Sequence, residues 1–199
     1  MSKNDTYYHV YSATMDGCDL TKEADAMAKE SWLCTGCNSP KPGVGAIDVM
    51  IRAAPGTESL NAAIGWGIPI ASRACLHAFG DDLVQRELFI GRVLDQHGKE
   101  YIDWATFRGR HRVIVRGTKH ACTRKCPECG RDIYFAMDKK YLYPAPSPDV
   151  SLFESDMCGL VLTEDVFRRA GVKNWRSIWI DKLKVEDVPK DLLGELDCN

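Results

Sequence analysis

Cys122-Thr-Arg-Lys-Cys126-Pro-Glu-Cys129-Gly-Arg131 holds one Cys-x-x-Cys pair, and Cys34-Thr-Gly-Cys37-Asn38 holds another far upstream. Two thiolates so spaced grip one tetrahedral Zn²⁺ at about 2.3 Å per sulfur, and a closed structural site needs four. The two pairs together supply that number. Pro127 fixes the backbone after Cys126, and Gly130 accepts the left-handed conformation that turns the chain behind Cys129. Asn38 stands in the same place behind Cys37, and Asn is the next residue most tolerant of that conformation. Cys34, Cys37, Cys126 and Cys129 are therefore read as ligands of one structural Zn²⁺, with Cys122 in reserve.

Other uses of the thiols stay open at this point. A redox pair opens a helix, for which Gly130 is a poor start. Disulfides need an oxidising compartment, whereas the chain begins Met-Ser-Lys-Asn-Asp without an apolar leader, so the expected location is cytoplasmic. Nine cysteines is also an odd number for a complete internal framework. Cys18, Cys75, Cys158 and Cys198 read as buried or exposed free thiols.

The length of 199 residues, with 45% hydrophobic and 27% charged, suits one domain with a real core. A zinc shared between the first and middle thirds would clip residues 1–199 into one unit. No stretch approaches the ~20 apolar residues of a membrane span. Net charge is -2, yet Arg108, Arg110, Arg112, Arg116, Lys119, Arg124 and Lys125 follow one another without an intervening acid. The remainder is acidic around this basic band. Arg110, Arg112 and Arg116 are the candidate partner-binding residues on it, and a solvated strand face is the plainer reading.

The periodicities predict an α+β fold, mostly antiparallel sheet with a few short helices. Strands are expected over residues 7–11, 44–51, 88–94, 101–107, 110–116, 133–137, 159–162 and 177–183. In the strand over 110–116, Arg110, Arg112 and Arg116 would share an outward face. Helices are expected over 73–79, from Asp81, from an N-cap at Thr163 to Gly171, and over 188–196; residues 21–29 read as helix or ordered loop.

Sequence features of the familiar enzymes are absent. No histidine has Glu two positions on, Lys125 stands where a zinc deaminase has Pro, and neither phosphate-binding loops nor a Gly-x-Ser-x-Gly elbow occur. His77, His97, His111 and His120 are scattered and read as surface or capping residues. A four-thiolate zinc leaves no position for water. The expectation is a non-enzyme with no small-molecule substrate.

Taken with a Trp-containing strand before the first pair, Leu152-Phe153, Cys158-Gly-Leu-Val-Leu-Thr-Glu-Asp-Val-Phe167 and Ile178-Trp-Ile180, the pattern resembles the double-CXXCG motif family, immunity proteins of bacterial polymorphic toxin systems. The second pair has the family form in full; the first lacks its Pro and Gly. The resemblance implies a protein that binds and neutralises a cognate toxin. Two further classes remain: a zinc-ribbon nucleic-acid-binding or regulatory protein using the basic band, which the acidic body disfavours, and an enzyme with a distributed site.

Overall fold

The computed structural model describes residues 6–12, 20–41, 43–52, 60–63, 68–117, 123–130, 132–134, 140–156 and 159–186. Cys18, Cys122, Cys158 and Cys198, Lys119, His120, and the helix expected over 188–196 lie outside the described residues.

The strands are β1 (Thr6–Ser12), β2 (Val49–Met50), β3 (Leu60–Ala63), β4 (Ile68–Ser72), β5 (Leu88–Leu94), β6 (Glu100–Gly109), β7 (Arg112–Val113) and β8 (Val115–Gly117), followed by β9 (Thr123–Lys125), β10 (Asp132–Tyr134), β11 (Lys140–Leu142), β12 (Leu152–Ser155), β13 (Leu160–Thr163) and β14 (Ile178–Lys184). The α-helices are α1 (Lys22–Ser31), α2 (Arg73–Ala78), α3 (Asp81–Glu87) and α4 (Glu164–Arg169). The class is α+β, and all pairings between the described strands but two are antiparallel. One five-stranded sheet has the order β14-β1-β13-β12-β7 and another β2-β5-β6-β4-β3; β9-β10 and β11-β8 form two-stranded sheets. Among the described residues, β12-β7 and β2-β5 pair in parallel, as does the isolated bridge between Leu142 and Val185.

Side-chain alternation explains the layers. Leu160 and Leu162 of β13 enter a core with Val10, Phe107 and Phe167, while Val161 between them enters a second with Tyr7, Phe153 and Leu183. The first sheet is thus buried on both faces. On the other sheet, Ile68 and Ile70 of β4 meet Ala24, Ala28 and Trp32 in a third core. Thr21 starts α1 by accepting the Ala24 N–H at 3.2 Å, with Glu23 and Asp25 in the favourable first turn. Ala24 and Ala28, one turn apart, give a small-residue face that lets the helix lie close on the sheet.

The structure corrects three expectations. Trp32 ends α1, its N–H bonded to the Ala28 carbonyl, and belongs to no strand. Of residues 44–51 only Val49 and Met50 form a strand, with Ile51 in an isolated bridge. The preceding polar groups are satisfied by side-chain bonds: Trp32 Nε1 donates to the Gly45 carbonyl at 2.9 Å, Thr106 Oγ1 to that of Ile47 at 2.6 Å, and Asp48 accepts the Arg92 N–H at 2.7 Å. The strand expected over 110–116 is two strands in different sheets. Asp156 Oδ1 takes the Val115 N–H at 2.8 Å, ending the pairing with β12, and the chain then pairs with β11.

Thr163 does occupy the N-cap of α4, although its hydroxyl makes no capping bond. Helix α4 stops before Gly171 at φ 62°. No described helix is long and apolar enough to cross a membrane.

Candidate metal centre

The four cysteines converge from two loops built alike. Leu33 and Pro40 form an antiparallel bridge that closes a loop bearing Cys34 and Cys37; Lys125 and Asp132 pair across the β9-β10 hairpin and close one bearing Cys126 and Cys129. In both, cysteines occupy the first and fourth loop positions. In both the residue after the second cysteine is left-handed, Asn38 at φ 53° and Gly130 at φ 70°, as the sequence implied. Its N–H returns to the carbonyl of the first cysteine, at 2.8 Å from Asn38 to Cys34 and 2.9 Å from Gly130 to Cys126.

The loops face each other across 92 positions of sequence. Cys34 Sγ lies 3.6 Å from Cys126 Sγ, and Cys37 Sγ lies 3.7 Å from Cys129 Sγ. All four sulfurs fall within 4.8 Å of one another, close enough to hold a metal ion. Four sulfurs at tetrahedron corners around zinc, each about 2.3 Å from the centre, stand about 3.8 Å apart. The observed separations fit that edge and far exceed the bond of about 2.05 Å in a disulfide. Cys34 and Cys126 are buried, while Cys37 and Cys129 are half-buried and form the outer edge.

Electrostatics favours the thiolate that a metal needs. The backbone N–H groups of Cys129 and Glu128 point at Cys126 Sγ, and with the neighbouring cysteine side chains they outweigh burial and bring its pKa down to about 7. The largest share comes from the Cys129 N–H. This is a property of the knuckle's own turn, in which Pro127 has no N–H and the next two donors converge on the sulfur.

Sequence reasoning missed Gly36. A Cβ there would stand 2.9 Å from Cys126 Sγ and 2.9 Å from Glu128 Cγ, so one knuckle docks on the other through the missing side chain. Glycine between the first two cysteines was the available signal. Equally unforeseen is the support below. The Arg108 guanidinium lies 5.2 Å from the Trp32 ring centroid, and its Nε donates to Glu154 Oε2 at 2.7 Å. Both members of that ion pair are buried.

The basic band is accordingly not one surface. Arg108 is interior; Arg110 is exposed and stacks over Phe89 at 4.0 Å; Arg112 is half-buried; Arg116, also half-buried, lies over Tyr143 at 5.9 Å. Lys125 is exposed beside the metal-binding loop. No protein-family model matches the chain, and no curated protein matches it.

Proposed function

We propose that this chain is a non-catalytic binding protein, clipped by one structural Zn²⁺ on Cys34, Cys37, Cys126 and Cys129, that neutralises a cognate toxin in the cytoplasm. The observation that supports this reading is the four-sulfur cluster. Four thiolates saturate a tetrahedral zinc, leaving it no place to activate water, so its contribution is rigidity. A rigid fold with surfaces of both signs is suited to selective capture of one protein partner. That the partner is a toxin rests on the resemblance of the two cysteine motifs and the segment following Cys158 to the double-CXXCG immunity proteins.

The test is co-expression with the product of the adjacent gene. Protection of the cell, copurification at a nanomolar or lower dissociation constant, and one zinc per chain without added metal are the expected results. Failure to protect despite soluble expression overturns the toxin reading. A zinc content near zero overturns the structural one.

A further inference from the structure

Strands β5 and β6 run in register from Leu88 opposite Gly109 to Arg92 opposite Ala105, but the next pair is Leu94 opposite Glu100. Tyr101-Ile-Asp-Trp104, four residues, therefore stand against the single residue Val93. On the other side β4 meets β6 only from Trp104 to Thr106, because the chain turns into α2 after Ser72. Among the described residues, Tyr101, Ile102 and Asp103 have no strand partner on either side. Bulges re-aim side chains and commonly stand beside functional sites.

What this bulge displays is specific. Ile102 is 72% exposed, the most exposed large apolar residue among those described. Tyr101 and Trp104 are half-buried against the third core. A cavity of about 450 Å³ opens between the bulge and the turn from Asp95 to Glu100. Its rim carries Asp95, Glu100 and Asp103 against Lys99 alone. Asp95 is fixed by the N–H groups of His97 and Lys99, each at 2.8 Å, and Glu100 by Arg73 at 2.8 Å. The Asp103 side chain is exposed and has no hydrogen bond or ion pair among the described residues.

We propose that this groove docks an extended segment of a partner protein that carries a cationic side chain beside an apolar one. The apolar group would cover Ile102 and Trp104, and the cation would answer Asp103, the carboxylate left over once Lys99 and the Arg73–Glu100 pair are counted. A segment in extended form can lay both side chains along the groove at once. The proposal rests on reading the protein as a binder of another protein, not on that partner being a toxin.

A short synthetic peptide of alternating lysine and leucine is the probe, titrated into the zinc-loaded full chain and followed by backbone amide resonances. Saturable shifts confined to the bulge and the turn before it are expected, with affinity lowered about tenfold by Asp103→Lys and no shifts from the glutamate–leucine counterpart. Both Asp103 and Ile102 are exposed, so zinc content and melting temperature should stay unchanged in their variants. Shifts centred on Arg110 or elsewhere, or binding indifferent to Asp103→Lys, overturn the proposal. So does reversible self-association that Ile102→Asp abolishes, which would make the occupant a second copy. Peptide binding without protection on co-expression would defeat the toxin reading and leave this surface standing.

Discussion

The two cysteine loops share one geometry and differ in what holds them. The first follows directly on Trp32 and Leu33, which are fully buried among Ala28, Val49, Ile51 and Ile70. The second sits on a hairpin whose two short strands pair with each other and with no other described strand, and of residues 125–130 Cys126 alone is buried. An isolated two-stranded hairpin is marginal in water at best. The hydrogen bonds that shape the turn are local and alike in both, whereas anchorage comes from apolar burial in one and from the sulfur cluster in the other. A metal here joins a loop set in the apolar core to one whose described contacts run through its own hairpin, the cysteines and the Gly36–Glu128 approach.

Removing the metal should therefore have the largest effect and an uneven one. Structural zinc carries an apparent binding free energy on the order of 10 kcal/mol, and the hairpin, less buried over residues 125–130 than the first loop's anchor, should depend on it more. After chelation, amide exchange in β9 and β10 should accelerate by about a hundredfold or more, while the Ala28 and Trp32 amides change by less than about tenfold. Uniform acceleration across both loops would erase the distinction and make the metal a global folding switch.

Acid should act next, through the second loop. The Cys126 thiol is lowered to about 7 in the folded state, mainly by the Cys129 N–H. A group with a depressed folded pKa stabilises in full above its ordinary, unfolded value and loses that contribution as pH falls through the folded one. Metal affinity should accordingly lose the Cys126 contribution as pH drops through about 7, in addition to the protonation of its fellow ligands. In metal-free protein the ultraviolet absorbance of thiolate should show a step near pH 7 that Cys126→Ser removes. Because the leading cause lies inside the loop, the step should be present although no metal joins the loops; its absence would show that the turn itself is shaped by the metal.

Much of this was legible in sequence where the physics is local. The Cys-x-x-Cys spacing, the left-handed Gly130 and Asn38, the starts of α3 at Asp81 and α4 behind Thr163, and the strands β5 and β6 each depend on a few adjacent residues. What stayed hidden depends on side chains reaching across the chain. Residues 44–48 look like strand by composition, but Trp32, Thr106 and Arg92 take their polar groups. Arg108 reads as one more surface cation until Glu154, 46 positions away, is placed beside it. The break after Val113 is imposed by Asp156, and the bulge at Tyr101-Trp104 is a mismatch of strand lengths that periodicity does not register.

The smallest expected effects discriminate best between the loops, because they come from two glycines with opposite reasons for being glycine. Gly130 needs its positive φ of 70° and has open space where a Cβ would go, so Gly130→Ala should cost the left-handed penalty of roughly 1–2 kcal/mol, spent in the hairpin. Gly36 has no such backbone demand. Its Cβ would meet Cys126 Sγ at 2.9 Å, and a metal-bound sulfur has little freedom to retreat, although the Glu128 side chain can swing aside. Gly36→Ala should therefore spare the metal-free protein and weaken zinc binding by about tenfold, about 1.4 kcal/mol. Gly130→Ala should lower the melting temperature of the loaded protein with zinc affinity reduced only as far as the hairpin is. Competition against a chromogenic chelator, run beside melting curves with and without metal, separates the two. Equal losses of zinc affinity in both variants, or a metal-free protein destabilised by Gly36→Ala, would mean that the loops are docked by the fold before the metal arrives.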